Sequence, residues 1–289
     1  MPYIYLILSV FMSASYNVFG ELFNRRNKGK KDSSAFYTFL LMLSVCIGWG
    51  ILYALDFSFE SNVLWYSVLF AACYILTNIG MINALKYGSV TLTTLLISLS
   101  LLVTTIWGFI FWGAKVTAPV VVGLVCVVAA IYLCLYTKEK DEKALSLKWL
   151  FFVALAFFGN AGCTIVQRTQ QVQFNGQHGN MLMLFATFFS AIFCLFMYLK
   201  SDKKHSKAIL KRSWWAPVCA GVSNLALNVL VMLMALTTLS PSLVYPVIGV
   251  GGLAVVTIFS LLVFKEKMRW WQWVGIIIGM IAVLLLSIS

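Results

Sequence analysis

The chain has 289 residues, 62% of them hydrophobic and only 10% charged, with a formal net charge of +12. Soluble domains average about 45–50% apolar and about 25% charged, so a soluble fold of this size could not hide so much apolar surface. The charge sits in short connections, where it reads as a membrane-topology signal rather than as a nucleic-acid-binding face.

Spans of about 20 apolar residues mark membrane crossings, and ten follow one another in chain order. Span 1 (3–23) opens as "MPYIYLILSV", with no basic region before it and no small-residue cleavage pattern after it, so it reads as a crossing rather than a signal peptide. It carries Ser9, Ser13, Asn17 and Glu21 at four-residue spacing, with Tyr16 alongside. Span 2 (35–55) follows the basic "NRRNKGKKDSS". Span 3 (64–85) holds Tyr74 and Asn78, with Lys86 just past its end, and span 4 (90–112) holds Thr94, Ser98 and Thr105. Span 5 (118–136) has no Ser, Thr, Asn or Gln, and "TKEKDEKALS" follows it. Span 6 (149–168) places Asn160 and Thr164 four apart. Span 7 (180–199) leads into the basic "KSDKKHSKAILKRS", and span 8 (214–236) carries Asn224 and Asn228. Span 9 (242–264) contains Tyr245, Pro246, Gly249, Gly251 and Gly252, and span 10 (270–287) contains Gly275 and Gly279.

Lysine and arginine resist translocation and collect on the cytoplasmic side. Nineteen of the 21 lie at connections after odd-numbered spans. That places these connections in the cytoplasm and both termini outside.

The turn "VFKEKMRWWQWVG" (263–275) has a fainter echo in "FWGAKVTAPVVVG" (111–123). In this register Lys115 matches Lys267, Val122 matches Val274 and Gly123 matches Gly275, while Ala114 stands opposite Glu266. One turn follows span 9 and the other span 4, so they face opposite sides. The reading is an all-α integral membrane protein of two inverted five-helix repeats, 1–142 and 143–289, forming one membrane domain. Inverted repeats characterise secondary transporters, whose halves rock about a central site.

On these residues the chain resembles the drug/metabolite transporter superfamily, and within it the EamA-type permeases. Pro246 near the start of span 9, Phe264 and Glu266 in a Phe-x-Glu turn, then Trp273, Gly275 and Gly279 fit that family's pattern. "FFGNAGCTIVQRTQQ" in span 6 also looks like it. The resemblance implies a ten-helix transporter of small metabolites, with export the commoner direction. Ala114 departs from the pattern, which weakens a requirement for the turn carboxylate in both halves.

Polar side chains in membrane helices turn toward protein or water. At mid-depth, asparagine occurs only in spans 1, 3, 6 and 8, two pairs of equivalent helices. The candidate solute-binding set is therefore Ser13, Tyr16, Asn17, Tyr74, Asn78, Ser98, Asn160, Thr164, Asn224, Asn228 and Tyr245. Spans 1, 3, 4, 6, 8 and 9 are expected to line a polar cavity, with spans 2, 5, 7 and 10 as supporting wall. The competing reading is that these polar groups only link helices, through bonds worth on the order of 1 kcal/mol. The glycines of spans 9 and 10 serve close packing, within the chain or in a homodimer, and Pro246 kinks span 9.

No catalytic or metal motif is present: the seven cysteines are scattered, both histidines lie in connections, and no phosphate-binding loop occurs. The expectation is a non-enzyme without a cofactor, whose partners are a solute and membrane lipids, in a multi-pass plasma-membrane setting of bacterial type. With no mid-depth carboxylate, the cavity suits neutral or zwitterionic metabolites such as amino acids. The alternatives are import of choline-like quaternary ammonium compounds through aromatic contacts, or a non-transporting lipid-handling subunit. Glu21 has two readings, a structural ion pair with Lys86 or a proton-coupling group. Its off-centre place, and Gln167 at the equivalent position, favour the structural one.

Overall fold

The computed structural model describes residues 2–28, 30, 33–113, 117–135, 146–201, 206–235, 241–266 and 268–287. Ala114, Lys115, Lys267 and the 142/143 repeat boundary lie outside the described residues, as do the side chains of Tyr245 and Pro246. All regular structure among the described residues is helical: α1 (Pro2–Arg26), α2 (Ser33–Leu55), α3 (Val63–Tyr87), α4 (Val90–Ser98), α5 (Leu101–Phe111), α6 (Ala118–Leu135), α7 (Leu147–Gln173), α8 (Gly179–Lys200), α9 (Ser206–Ser213), α10 (Trp215–Ala235), α11 (Pro241–Leu262) and α12 (Trp270–Ser287). Seven segments are long and apolar enough to cross a membrane, α4 and α5 together making one of them, and three shorter apolar helices complete the bundle. Large apolar side chains such as Trp65, Ile110, Val125 and Phe158 stand exposed on the bundle's outside. A water-facing surface does not carry such a girdle.

Two features differ from the sequence expectation. Span 4 is broken at Leu99 and Ser100. No Gly or Pro breaks it; instead the Ser100 N–H folds back onto Ile97 O at 3.1 Å, and the buried Ser100 hydroxyl accepts a 2.8 Å hydrogen bond from Asn160 Nδ2 of α7. The basic connection after α8 also forms a helix, α9, which buries Ser206, Ile209 and Ser213 against the bundle.

Helix pairings come in matched sets. α3 lies against α7 as α10 lies against α1; α4 meets α7 as α11 meets α1; α8 meets α3 as α2 meets α10. The α3–α7 crossing is close enough to need glycine on both sides. A Cβ on Gly159 would stand 2.7 Å from the Thr77 backbone nitrogen, and one on Gly80 would stand 2.6 Å from that of Ala156. Gly251 and Gly252 similarly admit Val10 and Ser13 of α1, so these glycines are used within the chain.

Candidate solute cavity

A cavity of about 310 Å³ lies among eight helices. From α1 come Ser13, Tyr16 and Asn17; from α3, Tyr74 and Thr77; from α4, Thr94 and Ser98; from α7, Asn160, Thr164 and Gln167; from α10, Asn224 and Asn228. Gly249, Gly252 and Leu253 present α11 to it, and none of its lining residues is charged.

Nine of the eleven sequence candidates line this space: Ser13, Tyr16, Asn17, Tyr74, Ser98, Asn160, Thr164, Asn224 and Asn228. Asn78 does not. It is 2% exposed, accepting from Tyr16 Oη at 2.6 Å and donating Nδ2 to Tyr74 O at 2.8 Å. It lies behind the wall and orients Tyr16, because that hydroxyl would otherwise be buried without a partner. The expectation for spans 2 and 7 is likewise corrected. Val45 and Trp49 of α2, and Met183 and Thr187 of α8, face the cavity together with Phe70 of α3. Sequence reasoning passed over Val45, Trp49, Met183 and Phe70 because an apolar residue lining a pocket looks like one facing lipid.

The polar groups are tied into a frame. Tyr74 Oη donates to Asn224 Oδ1 at 3.2 Å, and Asn228 Nδ2 donates to Asn224 O at 2.8 Å. Thr94 Oγ1 donates to Asn17 Oδ1 at 3.3 Å, joining α4 to α1. The Tyr74–Asn224 and Thr94–Asn17 bonds cross between helices and hold the walls in register while leaving other lone pairs and N–H groups for a solute.

A second, larger cavity of about 790 Å³ opens where α1 ends and α4 begins, lined by Glu21, Asn24, Arg25, Lys28, Lys30, Lys86, Ser89 and Glu266 among others. Its Glu21 is buried and pairs with Arg25 at 2.5 Å, one turn along the same helix. The expected partner, Lys86, lines the same cavity, and among the described residues the ion pair that Glu21 makes is with Arg25. Glu21 Oε2 has no hydrogen-bond partner among the described residues.

An apolar septum separates the two spaces. Val18, Met81, Leu85, Val90, Val256 and Phe264 pack into one cluster. Along α1 it falls between Asn17 of the first cavity and Glu21 of the second; along α4 it falls between Thr94 and Ser89.

No curated protein matches the sequence. One solved structure, described as "Crystal structure of protein", is similar in fold, with a TM-score of 0.55 at 11% identity over 96% of this chain and 95% of that one. The EamA-like transporter family matches residues 1–136 and again 147–288. With both stretches matched, the chain belongs to the EamA-like transporter family, whose members are membrane transporters rather than enzymes.

Proposed function

We propose that the protein is a secondary transporter that moves small neutral or zwitterionic metabolites, amino acids among them, across a bacterial plasma membrane, in the export direction. Ten crossings in two inverted halves would give it alternating access, with the basic end of the bundle in the cytoplasm and both termini outside. The observation that carries this reading is the cavity itself. It is uncharged, rich in asparagine and built from equivalent helices of both halves. Its 310 Å³ is at the small end of ligand pockets, which run from about 300 to 1,000 Å³.

Tyr16, Trp49, Phe70 and Tyr74 all line the cavity, which favours choline-like cations as the second cargo class. Uptake by proteoliposomes of labelled amino acids, nucleosides and choline-like cations tests both. Saturable uptake of an amino acid supports the first reading, uptake of the cations alone supports the second, and failure of every compound removes both.

A further inference from the structure

We propose that Glu266 is the latch of a gate at the basic end of the bundle, and that the central cavity opens to that side only when α4 releases this carboxylate. The inference rests on the alternating-access reading above.

The septum closes the central cavity toward the basic end, and its members come from α1, α3, α4, α11 and the turn after α11. Apolar contact alone would let these helices slide. Glu266 fixes them. Its Oε2 accepts from the Ser89 hydroxyl at 2.6 Å and from the Ser260 hydroxyl at 2.5 Å, while Oε1 accepts from the Val90 backbone N–H at 3.0 Å. Ser89 is the N-cap of α4 and Val90 its first residue, so the carboxylate holds the start of one helix to the end of another, 177 positions away in sequence. Hydrogen bonds to a charged acceptor are the stronger kind. The two from Ser89 and Val90 must break if α4 and α11 are to part, while the Ser260 bond orients the carboxylate from the α11 side.

The turn is shaped for this reach. Lys265 takes a left-handed conformation at φ 52°, and the Glu266 N–H returns to Ser260 O at 3.2 Å. Non-glycine residues rarely adopt that conformation. Arg25 supplies a brace from α1: its Nη1 reaches Phe264 O at 3.4 Å and its guanidinium lies 4.5 Å over the Phe264 ring. Phe264 is itself part of the septum, so the brace and the latch act on the same plug.

The opposite turn has Ala114 where Glu266 would stand, and alanine has no carboxylate to offer. With the carboxylate in this turn alone of the two, the latch biases the resting protein toward closure at the basic end.

Ser98 lines the central cavity outside the septum and is partly exposed, and Ser98→Cys in a background lacking the seven native cysteines reports on access. The rate of its modification by a membrane-impermeant maleimide is measured with reagent on each face of vesicles. Glu266→Ala should raise the rate from the basic end at least about tenfold, as loss of charged hydrogen bonds requires. Glu266→Gln should fall between, since its amide oxygen still accepts from Val90. Ser89→Ala/Ser260→Ala should raise the rate while keeping Glu266, and this decides the matter if Glu266→Ala does not fold. Unchanged rates in folded Glu266→Ala, or in the double serine variant, would overturn the proposal. The readout is access rather than flux. A protein that moves no solute in the uptake screen would still show the latch, and an active transporter with unchanged rates would lack it.

Discussion

Tyr16 and Asn78 are joined across 62 positions by a 2.6 Å hydrogen bond from the phenol to the amide oxygen. The pair converts a flat aromatic wall of the cavity into a fixed one, because Asn78 is in turn anchored to Tyr74 O. Asn78→Ala should therefore lower thermal stability by about 1–3 kcal/mol as well as impair transport. Tyr16→Phe in the same chain should recover part of the stability loss, since it removes the stranded hydroxyl. A double-mutant cycle read by thermal unfolding in detergent checks this, and strictly additive losses would contradict it.

Asn228 differs, because its bonds stay within α10. Asn228→Ala should leave the melting temperature close to that of the parent and weaken solute affinity by up to about tenfold. Transport kinetics beside a melting curve separate the two effects. Normal kinetics would remove Asn228 from the solute site.

Topology can be read at α9. Ser206 is buried there, so a cysteine at that position would label poorly from either side. Ala208 is exposed, and Ala208→Cys should resist an impermeant maleimide in intact cells and react once the membrane is opened. Ready labelling in intact cells would reverse the orientation.

Glu21→Gln tests coupling. With Arg25 as its partner, Glu21 is expected to act structurally. The variant should melt at a lower temperature while uptake keeps its dependence on an imposed proton gradient. Loss of gradient-driven accumulation with solute exchange intact would instead make Glu21 the coupling group.

The α3–α7 crossing gives a packing prediction. Gly159→Val would push side-chain atoms against the Thr77 backbone, and overpacking of this kind costs about 1–3 kcal/mol or more. Reduced yield of monodisperse protein on size-exclusion chromatography is the expected result.

The apolar spans and the asparagines were legible in the sequence because each is an anomaly: apolar runs too long for a soluble chain, and amides too costly for lipid. Trp49, Phe70 and Met183 carry no such anomaly, and only the packing of α2, α3 and α8 turns them inward. The break at Leu99–Ser100 was hidden because no Gly or Pro marks it, and the Asn160 amide that bonds the Ser100 hydroxyl lies on another helix. The reach of Glu266 to Ser89 was hidden for the same reason. The Glu21–Arg25 pair was within reach of the sequence, since four residues is the spacing at which opposite charges meet on a helix.

The interruption of span 4 also marks where that crossing can bend. Around it Ser100, Leu102 and Val103 donate to carbonyls three residues back rather than four. Such tighter bonding inside a longer helical run often marks a hinge. α4 borders the solute space through Thr94, Ile97 and Ser98. A pivot at Leu99–Ser100 would let α4 tilt at that space without carrying α5 with it.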